Sequence, residues 1–172
     1  MDSEQAGRGA VTPTMATRDD HDRVVRFIAK HRFPFPGQTD WPADNVTLTN
    51  ETSPQRGIDT PEGTHYPDIV VIERGGAVRE VAEVETKLTE DTAKVWAWGS
   101  TAADTKTKTG VRHFFVYVPA DLGEAARQLL DRHAISHAGL RTWRIDADGQ
   151  IHIVPVITTG DAKDHVESVG RE

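Results

Sequence analysis

The sequence predicts a mixed α/β fold, a central sheet flanked by helices, and three observations carry that reading. Val24, Phe27, Ile28 and His31 recur at the spacing of one helical face. Pro67-Asp68-Ile69-Val70-Val71-Ile72 and the segment from Val78 to Lys87 read as two strands joined at Gly75-Gly76. Phe114-Phe115-Val116-Tyr117-Val118 reads as a fully buried strand between two helical patterns.

Each element has its own local reason. Residues 1–17 are rich in Gly, Ser, Thr and Ala without periodicity, which predicts a mobile tail before a domain spanning 18–160. A first helix starts near Asp19, with Asp19, Asp20 and Asp22 where the helix dipole favours negative charge. Arg23, Arg26 and Lys30 fall on another face, and the helix stops near Phe33-Pro34-Phe35-Pro36. Val46-Thr47-Leu48-Thr49 predicts a short strand, and Asn50 to Thr64, with two prolines and two glycines, predicts a loop.

After the glycine hairpin, Thr89 is placed to cap a helix that Gly99 would end. Residues 100–110 read as a Thr- and Lys-rich loop, and Val111 to Val118 as a strand. Asp121 and Glu124 make a capping-box-like start to a helix with the stripe Leu122, Ala125, Ala126, Leu129 and Leu130. Two strands, Leu140–Ile145 and Ile151–Ile157, follow through Asp148-Gly149, and 161–172 reads as a charged, flexible tail. The predicted order is helix, three strands, helix, strand, helix, two strands.

Composition narrows the function classes. A chain of 172 residues with 37% hydrophobic content is long enough to bury one core. No apolar run approaches the ~20 residues of a membrane helix, and no secretory signal is visible, so a cytoplasmic protein is expected. Zero cysteines exclude disulfides and thiolate metal sites. The net charge of −7 argues mildly against a protein that coats itself in phosphate, although a nucleic-acid enzyme needs only a local basic surface. No phosphate-binding loop, dinucleotide fingerprint or nucleophile-elbow serine is present.

The hairpin concentrates acid. With a two-residue turn at Gly75-Gly76, Arg74 pairs with Ala77 and Asp68 falls opposite Glu83 and diagonal to Glu85. Diagonal neighbours lie roughly 7–8 Å apart, within reach of a shared ion. Alternation puts Glu83, Glu85 and Lys87 on one face. Opposed carboxylates repel, and a divalent cation turns that liability into a site. Few hard oxygen donors suit Mg²⁺, with Mn²⁺ as a substitute, and such an ion activates water against a phosphodiester. Lys87 can orient that water or stabilise charge on phosphorus. The plain alternative is a solvated strand face.

These residues resemble the PD-(D/E)XK nuclease superfamily, the fold of many restriction enzymes and Holliday-junction resolvases. Pro67-Asp68 and Glu85-Thr86-Lys87 match its motif, and the order from Asp19 to Val118 is similar to its helix, three strands, helix, strand core. The resemblance implies a restriction-endonuclease-like fold and a metal-dependent endonuclease acting on DNA. It implies Asp68 and Glu85 as metal ligands, the Thr86 backbone carbonyl as a further one, and Lys87 as the residue serving the nucleophile. Asp22 is the position it suggests for an acid on the first helix, and a homodimer is the assembly it suggests for cutting two strands. Residues 89–99 hold no glutamine, which sets aside a recombination-type exonuclease. A non-catalytic binding module on the same fold is the runner-up.

Other residues carry weaker readings. Arg23, Arg26, Lys30, Lys94, Lys106, Lys108 and Arg112 are candidates for tracking phosphates, or a solvated face. Trp96 and Trp98 cannot share a helix face, so one is open to stacking on a base or packing elsewhere. His133 and His137 have zinc-pair spacing but straddle a helix end, and His65 could assist at the site.

Overall fold

Two apolar faces of one sheet organise the chain. The computed structural model describes residues 16–103, 109–160 and 163–172. Helix α1 (Arg18–His31) buries Val24, Val25, Phe27 and Ile28, and Thr17 and Asp20 close a reciprocal capping box at its start. It covers one face of the sheet, where these side chains meet Ile69, Val71, Ala82, Val84 and Phe115. Helix α2 (Thr92–Ala102) and helix α3 (Gly123–Arg132) cover the opposite face, where Trp96, Ala126 and Leu130 meet Val81, Phe114, Val116 and Leu140. Side-chain alternation along β5 (Val78–Val84) sends Val81 to one core and Ala82 to the other.

The main sheet is curled and mixed. Its strands are β1 (Val46–Thr49), β4 (Ile69–Ile72), β5, β6 (Phe114–Pro119), β7 (Gly139–Ile145), β8 (Ile151–Thr158) and β9 (Ser168–Gly170), in that spatial order. β5, β6 and β7 run parallel, and the remaining neighbours are antiparallel. The helix crossovers α2 and α3 are what permit the parallel pairs. The mixed α/β reading of the sequence therefore holds, and β1 falls on the predicted residues.

Several local expectations are corrected. The hairpin turn has three residues, not two: the Glu73 N–H bonds to the Ala77 carbonyl, and the Gly76 N–H to that of Glu73. Gly75 and Gly76 both take positive φ (97° and 90°), as the turn requires. A bulge then adds one residue, Arg79, to β5, since Ile72 pairs with Val78 and Val71 with Glu80. The two departures cancel. Beyond the bulge, Ile69 faces Ala82, which leaves Asp68 opposite Glu83 as predicted.

β5 ends at Val84, so Glu85, Thr86 and Lys87 lie past the strand and the predicted alternation stops short of Lys87. Gly99 does not end α2 but lies inside it, because a Cβ there would sit 2.6 Å from the Phe114 ring. Asp91, not Thr89, is the N-cap, and α3 begins after a short 3-10 turn without a side-chain cap. The predicted loop Asn50–Thr64 contains a ribbon, β2 (Ile58–Thr60) paired with β3 (Gly63–His65).

The C-terminal segment is built into the fold rather than trailing as a tail. β9 pairs with β8, and Asp164 is buried between the guanidinium groups of Arg32 and Arg141. Arg32 also donates to the Val166 carbonyl and the Ser168 hydroxyl. The predicted boundary at 160 is thus too early. The predicted N-terminal tail lies outside the described residues, apart from Ala16 and Thr17.

Candidate active site

Three acidic residues meet at the carboxyl end of β5. Asp68 enters just before β4, Glu83 is the penultimate residue of β5, and Glu85 follows its end. The Val84 N–H donates to Asp68 Oδ2 at 2.8 Å, which fixes that carboxylate at the strand end. Glu85 is held from three sides. Its N–H donates to the Tyr117 carbonyl (2.8 Å), its carbonyl accepts from Trp143 Nε1 (3.0 Å), and its Oε1 accepts from Trp96 Nε1 (2.8 Å). These bonds explain why α2 buries Trp96 completely: the indole fills the core and its one polar atom reaches the acid.

The acids line a cavity of about 530 Å³ with His21, Glu51, His65 and Thr86. Burial pushes Glu83 well above the ordinary carboxylate range, and the charges of Asp68 and Glu85 push it further. Burial likewise raises Glu85 to about 7, with Asp68 adding to the effect and the Trp96 hydrogen bond opposing it. Excess negative charge in a poorly solvated site is the electrostatic signature here.

Two histidines stand against the acids, and one of them carries compensating charge. His21 of α1 places Nδ1 2.8 Å from Asp22 Oδ1 and Nε2 3.1 Å from Asp68 Oδ1. Burial alone would lower its pKa, but the two carboxylates hold it up to about 9, so both ring nitrogens carry protons at neutral pH. His65 Nε2 lies 2.7 Å from Glu83 Oε1. Burial lowers His65 and raises Glu83, so both shifts disfavour the charged forms of this pair. Glu51 completes the wall. Its side chain is 4% exposed, Arg26 lies 3.9 Å from one oxygen, and the other is buried without a hydrogen bond.

Of the residues expected from sequence, the structure brings Asp68, Glu83, Glu85 and Thr86 to one cavity. Lys87 is exposed and does not line it, because the strand that was to present it has ended. Asp22 contacts the cluster through His21. The expected phosphate-tracking residues do not form a free cationic stripe. Arg23 and Arg26 both bind the Glu172 carboxylate (3.2 and 2.6 Å), Lys94 binds Glu62 (3.0 Å), and Arg112 caps the Ala103 carbonyl. Lys30 is exposed, and Lys106 and Lys108 lie outside the described residues. His133 is exposed and His137 buried, which separates the predicted zinc pair.

His21 and Glu51 were not singled out from sequence. His21 had a signal: it stands three and four residues before Val24 and Val25, continuing the buried stripe of α1. Glu51, in a predicted loop, had none. Among the described residues, no three His, Asp or Glu side chains are disposed to hold a metal ion by themselves. No family model, curated protein or solved structure matches the chain.

Proposed function

We propose that this chain is a divalent-metal-dependent nuclease with a restriction-endonuclease-like core, hydrolysing phosphodiester bonds in DNA. One observation carries the reading: Asp68, Glu83 and Glu85 converge on a cavity where two of them are held in a proton-hungry state. A buried acid with a raised pKa is energetically poised to exchange its proton for a cation. The donor set fits Mg²⁺, which needs one or two carboxylates and keeps several waters. Asp68, Glu85 and the Thr86 carbonyl would hold it. When bound, such an ion activates water and offsets charge developing on phosphate.

The chain's own residues then have distinct tasks. Trp96 and Trp143 fix Glu85 at side chain and backbone. The Val84 N–H and His21 orient Asp68. His21 supplies the positive charge nearest the acids, while Lys87 enters as an exposed cation two residues past Glu85. The test is cleavage of duplex, single-stranded and branched DNA with Mg²⁺ or Mn²⁺. Asp68→Ala and Glu85→Ala should abolish cleavage while circular dichroism stays native. Undiminished cleavage by both purified variants would refute the proposal.

A second reading draws on a different observation. Both Asp68 oxygens already face protein donors, and His65 contacts Glu83 within the fold. A non-catalytic binding module with a self-compensated cluster accounts for this. Calorimetry with Mn²⁺ separates the two readings: the nuclease binds and loses binding with Asp68→Ala, whereas the module shows no heat.

A further inference from the structure

A second cavity, of about 650 Å³, opens between the β2–β3 ribbon and α2. It has the size of a small-ligand site. Ile58 and Val78 supply apolar wall, Arg56, Asp59 and Thr101 supply polar groups, and Trp98 contributes a half-buried indole. Trp98 also links this cavity to the carboxylates. Its ring centroid lies 5.8 Å from that of His65, which in turn contacts Glu83 at 2.7 Å.

Arg56 differs from the arginines of α1. Arg23 and Arg26 are committed to Glu172, whereas the Arg56 guanidinium makes no ion pair or side-chain hydrogen bond among the described residues. In a chain of net charge −7, an uncommitted guanidinium in a cavity also lined by an indole marks a place for an anion with a flat partner. The Trp98 N–H likewise makes no hydrogen bond among the described residues. Lys94 Nζ stands 5.3 Å from the ring centroid, but its charge is shared with Glu62 and Asp91, which leaves Arg56 as the cation of this cavity.

We propose that this cavity receives an unpaired nucleobase, stacked on Trp98 with its phosphate at Arg56, so that the chain binds single-stranded nucleic acid next to its carboxylate cluster. A base in a duplex has both faces covered by its neighbours and cannot offer one to an indole, whereas an unpaired base can. Asp59 can accept from an amino or imino group on the base edge. The inference rests on the reading of the cluster as a phosphodiesterase site and narrows its substrate to single strands or splayed ends.

The test is fluorescence anisotropy in EDTA, where no cleavage occurs, with a labelled single-stranded oligodeoxynucleotide, the same sequence as RNA, and the corresponding duplex. Single strands should bind at least about 10-fold tighter than duplex, and the DNA and RNA arms identify which is preferred. Trp98→Ala should weaken single-strand binding roughly 5- to 150-fold, the range for one stacked base, with Trp98→Phe near wild type. Arg56→Gln, at a half-exposed position, should weaken binding and reduce the salt slope by about one phosphate contact. It keeps the test decisive if Trp98→Ala fails to fold. Duplex binding as tight as single-strand binding, or both variants binding like wild type, overturns the inference. Cleavage of duplex without single-strand preference would sink this inference and leave the nuclease; binding without cleavage under any metal does the reverse.

Discussion

Two clusters of charge are buried in this molecule, and they are built on opposite principles. At Arg32, Arg141 and Asp164 every side chain is nearly or fully buried, and the arginine arms end on carbonyls of Leu140, Ile157, Asp164 and Val166 as well as on the shared carboxylate. At Asp68, Glu83 and Glu85 negative charge is in excess, a cavity stands in front, and Glu51 keeps a buried oxygen without a partner. The first cluster pairs opposite charges inside the fold, although each arginine keeps a buried Nε without a hydrogen bond, and it ties the C-terminal segment to α1 and β7. The second gathers like charges in front of a cavity. The difference is one of charge balance and access: opposite charges closed inside the fold against carboxylates that face open space.

The sharpest way to break the comparison is to remove one charge from each cluster. Asp164→Ala leaves two guanidinium groups without their anion and should destabilise the chain by about 3–5 kcal/mol in urea unfolding. Glu85→Gln should do the reverse at pH 8. The amide can still accept from Trp96 and no longer has to be buried as an anion, so stability should rise by about 1–3 kcal/mol while metal-dependent cleavage collapses. Loss of stability on that change would place Glu85 with the structural cluster.

A smaller effect is written in pH. Glu85 is raised from 4.5 to about 7 and His21 from 6.5 to about 9. Both groups hold protons more tightly in the folded chain, so their contribution is full below the lower value of each pair and lost as pH climbs through the upper one. The thermal midpoint should therefore fall between about pH 5 and pH 9, and Mg²⁺ or Mn²⁺ should flatten that fall by replacing the proton on Glu85. A midpoint that rises over this range would contradict the arrangement. The smallest effect is expected at α1: Arg23→Gln or Arg26→Gln should change the salt slope of nucleic-acid binding by well under one contact, because both share Glu172 and each faces a further carboxylate, Asp20 or Glu51.

How much of this could be read in advance follows from the range of the forces involved. Asp68 and Glu83 were legible as a pair although the turn was read one residue short, because the bulge at Arg79 restores the register, and Glu85 follows one residue past the strand end. The buried stripe of α1 was legible because periodicity alone fixes it. Glu51 was not, since it follows a short strand into a polar stretch and its cationic neighbour, Arg26, lies on another element. Nor was the end of α2: glycine usually stops a helix, but Gly99 is there to let the Phe114 ring approach, a contact between elements that no local pattern records. The C-terminal strand was missed for the same reason, its charge being answered by Arg32 and Arg141 far away in the chain. Lys87 was misjudged because alternation was carried past the residue where the strand stops.

The bulge at Arg79 has a consequence for how this hairpin can change in length. It sits between the turn and the acids, so it acts as a slack joint: a residue gained or lost at Arg74-Gly75-Gly76 can be taken up there by closing or opening the bulge, without rotating Asp68 away from Glu83. The distance in sequence between the two halves of the site is therefore free to drift while their separation in space stays fixed. Chains whose acids are counted out along the backbone would look mismatched by one position and still superimpose at the acids.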